Sequence, residues 1–271
     1  MNHRTTHNGS PSVVLDVRQG IGEIVLSREA KRNAIDYAMV DTMMQFLDLL
    51  EAEDEVRCVI LTGAGKEAFS AGADIPCFSN SLEAGVEVAL REFVARGQGL
   101  TRRIDEFSKP VIAAVNGIAY GAGCEIVEAC HIAVASDSAR FAKPEIKLGF
   151  PPPFGGTQRL PRLIGKKRAL QLILTAEPIS AVVAAEFGLI NEVVPVDRQM
   201  ERAREIAMLI IRRPAVAVSA CLASVTRGIE VSTREGLVIE ATQFSHAAGM
   251  PDVQERLKAF SAPGRPEFER L

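Results

Sequence analysis

The alternation of apolar and polar positions predicts strands first. Residues 13–17 and 21–26 are β-rich runs parted by Arg18-Gln19-Gly20, the pattern of a hairpin. Behind Asp36, a residue suited to cap a helix start, Val40, Met43, Met44, Leu47 and Leu50 recur at helical spacing. Residues 56–61 are nearly all apolar, as in a strand covered on both faces. A glycine-punctuated loop over 63–74 follows, then a helical stretch over 82–106 that Lys109-Pro110 closes. Residues 111–115 form a second buried strand, which leads through glycine-rich 116–123 into a helix over 124–129. A third strand is expected at 132–135 and a short closing one at 190–194, with helices over 157–188 between them. Beyond Asp197 the pattern is helical throughout, over 200–212, 215–227, 233–247 and 252–260. Strands separated by helices imply right-handed crossovers and a mainly parallel α/β core. The expected division is a tail at 1–12, a core at 13–196 and a helical region at 197–271. No repeat stands out in the sequence.

Composition narrows the function. Of 271 residues, 47% are apolar and 24% charged, as in an ordinary folded protein. A net charge of −3 offers no general attraction to nucleic acid, and the lack of Trp with only two Tyr argues against a base-stacking platform. The five cysteines are an odd number without C-x-x-C spacing, which argues for a reducing compartment and against a disulfide framework or a structural zinc. The polar N-terminal stretch with His3, Arg4 and His7 has no apolar segment of the kind a signal peptide needs. With no run of membrane-spanning length, the expectation is a cytoplasmic protein without a membrane or nucleic-acid partner.

Three segments carry candidate chemistry. In the first, Ala68-Phe69-Ser70-Ala71-Gly72-Ala73-Asp74-Ile75, small residues let a backbone approach a ligand with its N–H groups outward. It nearly spells a nucleophile elbow, but Ser70 lies nine residues past Leu61 instead of directly after a strand. Taken alone, a turn of no catalytic importance explains it as well. The second, residues 116–125, has a strand, a glycine turn and a helix start. Ile126 stands where a dinucleotide fingerprint needs its third glycine, so what remains is a helix N-terminus suited to a negative oxygen, with Glu125 in the first turn. Compensation of the helix dipole is the alternative for Glu125. In the third, residues 141–160, Glu145 follows a proline among few polar neighbours, where a carboxyl holds its proton to higher pH. A surface salt bridge to Lys143 or Lys147 is the competing account. His131 and His246 are isolated, which leaves a Ser/His/Asp triad without support.

Taken together, the ordered segments resemble the crotonase family of enoyl-CoA hydratases and isomerases over about residues 12–260. The resemblance is carried by Leu26-Ser27-Arg28 with Asn33-Ala34, by residues 69–75, by Asn116-Gly117 through Glu125, and by Phe141, Pro144-Glu145-Ile146 and residues 155–160. It implies a spiral core of ββα units with a C-terminal helical trimerisation region, in trimers usually paired into hexamers. It implies an acyl-CoA substrate and no cofactor apart from the coenzyme A that the substrate carries. The N–H groups of Ala73 and Ala122 would form an oxyanion hole for the thioester carbonyl. Glu125 would activate water and Glu145 would protonate the carbon beside the carbonyl. Keeping both glutamates favours hydration of a trans-2-enoyl-CoA over isomerisation, C–C cleavage, thioester hydrolysis or binding without turnover. Arg28, Lys31, Ala34, Ala71, Gly72, Asp74, Ile75 and Gly121 would border the coenzyme A and acyl groups, with Arg28 or Lys31 as phosphate partners. Four departures from the family pattern stand out. Pro153 replaces a glycine whose N–H helps hold the attacking water, Phe154 replaces a small residue, His131 replaces an aspartate, and residues 261–265 replace a basic stretch.

Overall fold

The computed structural model describes residues 12–260. The tail at 1–11 and the stretch 261–265 lie outside the described residues. In chain order the strands are β1 (Val13–Arg18), β2 (Ile21–Leu26), β3 (Cys58–Gly63), β4 (Ala68–Ser70), β5 (Val111–Val115), β6 (Ile118–Tyr120), β7 (Ile132–Ser136), β8 (Arg140–Ala142), β9 (Ile179–Ser180) and β10 (Glu192–Val194). The helices interleaved with them are α1 (Tyr37–Ala52), α2 (Ile75–Glu83), α3 (Val86–Ala89), α4 (Ala95–Asp105), α5 (Ala122–Ala129), α6 (Gly156–Ile164), α7 (Lys166–Thr175), α8 (Ala181–Phe187) and α9 (Gln199–Ile211).

β1 and β2 form the expected hairpin, with Val13 opposite Leu26 and Arg18 opposite Ile21. It opens a six-stranded sheet ordered β1-β2-β3-β5-β7-β10, parallel from β2 onward. The apolar runs of its central strands serve two cores. Val59 and Leu61 of β3 enter one with α1, and Cys58 and Ile60 enter the other with Ala203 and Ala207 of α9. β5 divides the same way, Val111, Ala113 and Val115 against Ile112 and Ala114. Helix α1 begins as expected, with Asp36 accepting the Met39 N–H at 2.9 Å. That cap contributes about 1 kcal/mol. Each of the buried Met39, Met43, Phe46, Leu47 and Leu50 contributes about 1.5–3 kcal/mol, so packing holds the helix more than its cap does.

A second sheet, β4-β6-β8-β9, explains how the loops are aimed. β4, β6 and β8 run parallel, and each follows a strand of the large sheet. The chain therefore repeats a motif of long strand, short strand and helix: β3-β4-α2, β5-β6-α5, then β7-β8 and the 3-10 turn Pro144–Leu148. This is the spiral of ββα units. Asn33 and Asn116 fasten its first turn. Both side-chain amides donate to the Ala68 carbonyl, at 2.8 and 2.9 Å, and each also donates to Ala64 or Gly65.

One expectation is corrected. The helix expected over 82–106 starts earlier, at Ile75, and breaks at Gly85, whose φ of 118° no helix accommodates. It resumes in α3 and passes through one π-type turn, Leu90–Val94, into α4. Helix α9 covers the outer face of the large sheet with Ala203 and Ala207, and the described residues fall into two compact units that divide at 211/212.

The second unit contains α10 (Ala215–Gly228), α11 (Thr233–Ala248) and α12 (Pro251–Phe260). A capping box of Ser232 and Glu235 opens α11, and α10 and α11 meet closely where Gly236 faces Gly228. Val225, Ile229, Leu237, Val238 and Phe244 are exposed on them.

Candidate active site

The three short parallel strands end side by side, so the turns that follow them converge. After β4 the chain passes through Ala71, Gly72 and Ala73. Ile35 takes the Gly72 carbonyl at 2.8 Å and gives its own to the Asp74 N–H at 2.8 Å. Such a bridge turns the intervening Ala73 N–H the other way, with no acceptor among the described residues. After β6, Gly121 gives its N–H to Ala142, and Ala122 is the first residue of α5, where a helix N–H has no internal partner. Ala122 N lies 3.7 Å from where a Cβ on Gly72 would stand, so the two turns are in contact. Two backbone donors thus border one pocket of about 160 Å³, whose lining includes Ala71, Gly72, Ala73, Ile75, Gly121 and Ala122. Phe93, Pro144, Leu148, Phe150, Pro153 and Phe154 add apolar surface to it, and Glu125 and Glu145 complete the lining.

Glu125, one turn into α5, is only 1% exposed. Its Oε1 accepts two backbone N–H groups, from Phe154 at 2.8 Å and Gly156 at 2.7 Å. Oε2 has no hydrogen-bond partner among the described residues. One oxygen is therefore fixed and the other is left for a ligand. Gly156 has to be glycine for this contact, because a Cβ there would lie 2.8 Å from Oε1 and 2.6 Å from Lys143 Nζ. Phe154 is matched in the same way to α4, where a Cβ on Gly97 would meet its ring at 2.0 Å. Its ring packs tilted against Phe93, with centroids 5.0 Å apart, and Phe93 likewise against Phe78 at 4.3 Å.

Glu145 sits in the 3-10 turn after β8, 6% exposed, with neither oxygen hydrogen-bonded among the described residues. Burial pushes its carboxyl up to about 7; the Lys143 ammonium opposes the rise and the Glu125 carboxylate adds to it. Among the described residues Glu145 makes no salt bridge to Lys143 or Lys147. Lys143 is itself fully buried and pairs with Glu128 at 2.5 Å. Burial likewise raises the Glu128 carboxyl and disfavours the charge on Lys143, but the surrounding carboxylates hold that lysine in its charged form.

The sequence-proposed residues separate into two groups. Ala71, Gly72, Ala73, Ile75, Gly121, Ala122, Glu125, Glu145, Pro153 and Phe154 share the pocket. Arg28, Lys31, Ala34 and Asp74 do not line it. The Arg28 guanidinium binds Asp74 at 2.8 Å, Asp36 at 3.0 Å and the Ala34 carbonyl at 2.7 Å, which ties loops together. Lys31 stays exposed and Arg32 faces Glu67 at 3.5 Å. The Ser70 hydroxyl is buried and donates to the Asn33 carbonyl at 2.9 Å, so the elbow has no nucleophile. His131 bonds through both ring nitrogens, accepting from Val111 N at 2.9 Å and facing the Asp105 carbonyl at 3.1 Å, and burial lowers its pKa. That makes it a neutral structural residue. Sequence reasoning missed Glu128, Phe93, Phe150 and the buried state of Lys143. A trace was present in Glu125 and Glu128, three apart on one helix, which places both on one face.

An apolar-walled pocket with two backbone donors and two carboxyls defines a class of protein, one equipped to move protons beside an oxygen that gains negative charge. Comparison with known proteins gives the family. Residues 16–270 match the family model described as enoyl-CoA hydratase/isomerase. The short-chain-enoyl-CoA hydratase of Clostridium acetobutylicum is 39% identical over 92% of this chain and 94% of its own. The crotonyl-CoA hydratase of Syntrophomonas wolfei is 36% identical over 95% and 97%. Among solved structures, the enoyl-CoA hydratase from Bacillus anthracis superposes with a TM-score of 0.87 at 36% identity, over 95% of this chain and 99% of that one. The chain belongs to the enoyl-CoA hydratase/isomerase, or crotonase, family.

Proposed function

We infer that this protein is an enoyl-CoA hydratase, a hydro-lyase that adds water to a trans-2-enoyl-CoA and gives a 3-hydroxyacyl-CoA. The observation that carries the reading is Glu125 and Glu145 in one pocket with the two unpaired N–H groups of Ala73 and Ala122. In this mechanism the thioester oxygen accepts both N–H groups, which stabilise the enolate that forms as water attacks the distal alkene carbon. Glu125, held through Oε1, takes the water proton on Oε2. Glu145, protonated up to about pH 7, delivers its proton to the carbon next to the carbonyl. Pro153 has no N–H to offer the water, so Glu125 positions it. Coenzyme A enters as part of the substrate, and the mechanism needs no resident cofactor. The turns around Lys31, Ala34, Asp74 and Ile75 border its path.

The exposed Val225, Ile229, Leu237, Val238 and Phe244 support self-association of the helical unit, as a homotrimer or a pair of trimers. Five free cysteines support a reducing, cytoplasmic setting, and no single helix among the described residues is long and apolar enough to cross a membrane. The test is product mass and loss of the conjugated-thioester absorbance over a panel of enoyl-CoAs. Hydration adds one water to the mass. A mass that never changes, or release of free coenzyme A, would replace hydration with isomerisation or hydrolysis.

A further inference from the structure

The mechanism above leaves one buried ionic pair without a task. Lys143 and Glu128 are 0% exposed at their side chains and lie 2.5 Å apart, and Cys124 Sγ donates to the same Glu128 oxygen at 3.4 Å. Both pair members adjoin the reacting carboxyls. Glu128 stands one helical turn after Glu125 on α5, and Lys143 precedes Glu145 by two residues on the strand exit. The Lys143 ammonium and Glu125 Oε1 also share the narrow space over Gly156, at 2.6 and 2.8 Å from its missing Cβ.

A pair whose only work was to tie α5 to the segment after β8 is an expensive tie, since hydrophobic side chains of similar volume usually serve as well or better. Its cost is explained if the charges act on their neighbours. We propose, resting on the hydratase reading, that Lys143 and Glu128 are positioning residues of the reaction. In this arrangement the buried pair sets how readily Glu145 gives up its proton beside Glu125. The groups that act on Glu145 are Lys143 from its own segment and Glu125 and Glu128 from α5, with the Cys124 thiol of α5 beside them. The lysine opposes proton retention on Glu145 and Glu128 favours it, the lysine more strongly. The two members therefore pull the Glu145 proton in opposite directions, which a mere tie does not do.

The experiment is the pH profile of kcat for hydration in the wild-type chain, in Lys143→Met/Glu128→Met and in Glu128→Gln. The alkaline decline reports loss of the Glu145 proton. It moves to higher pH in the double variant and to lower pH in Glu128→Gln, each by about one unit. If the double variant fails to fold, the Glu128→Gln profile alone decides by its direction. Profiles that superimpose on the wild type in a folded variant, or a Glu128→Gln decline that moves upward, overturn the proposal. If wild-type protein hydrates no enoyl-CoA, it is the hydratase reading that has failed. Infrared titration of the Glu145 carboxyl, with Glu145→Gln as the subtraction reference, then decides the pair by the same opposed shifts.

Discussion

Glu125→Gln separates the chemistry of this residue from its structural role. Oε1 accepts from Phe154 N at 2.8 Å and Gly156 N at 2.7 Å. Two N–H donors cannot face an amide nitrogen, so glutamine must place its carbonyl oxygen there and turn its NH2 into the pocket where Oε2 now points. The fold keeps both hydrogen bonds, and the pocket loses the only oxygen of this residue that could take a proton. A positioned general base contributes about 10²–10⁴ in rate. That corresponds to about 3–5 kcal/mol of barrier. Glu125→Ala instead leaves both N–H groups buried and unpaired, at about 1–3 kcal/mol each in stability. Hydration of crotonyl-CoA, followed by loss of enone absorbance beside thermal unfolding, should show Glu125→Gln folded as wild type with kcat down at least a hundredfold. Glu125→Ala should melt well below both. A glutamine variant within tenfold of wild-type kcat would remove Glu125 from proton transfer.

Glu145, raised to about 7 by burial, makes kcat/KM fall above that pH as its proton leaves. The folded chain binds this proton more tightly than the unfolded one, so its stabilising effect is complete below the ordinary carboxyl range and is lost as pH rises through about 7. Glu145→Gln should therefore abolish turnover yet raise stability at pH 8, by at most about 3 kcal/mol, read in denaturant unfolding. Phe154→Ala opens the apolar wall at a cost of about 3–5 kcal/mol and should raise kcat/KM for longer enoyl chains relative to crotonyl-CoA. An unchanged ratio would show that the ring does not limit the acyl group. Pro153→Gly supplies a backbone N–H beside Glu125 and should speed hydration, and unaltered kinetics would leave water positioning to Glu125 alone.

Much of this site is legible in the sequence because its donors are backbone groups on glycine-marked turns. Residues 69–75 and 116–125 announce those turns by composition, and the two glutamates follow at fixed distances. The large-sheet strands were visible as apolar runs, since burial on both faces suppresses alternation. The second sheet was not, because β4, β6 and β8 have three residues each, too few for any period. Lys143 was misread for a related reason. A lysine in a loop is normally solvated, whereas this one is fully buried beside Glu128 of α5. The Arg28–Asp74 pair joins residues 46 apart, a contact that no local pattern encodes.

The fit of Phe154 against Gly97 also sets an order on change. A methyl group at 97 would overlap the ring at 2.0 Å, so any larger residue there is closed to the chain while Phe154 remains. Position 154 can shrink first, at the expense of a void, and only afterwards can 97 grow to fill it. Two residues 57 apart in sequence thus form one inherited choice about the depth of the pocket. Descendants of this chain that take bulkier substrates should show the change at 154 before, or together with, any change at 97.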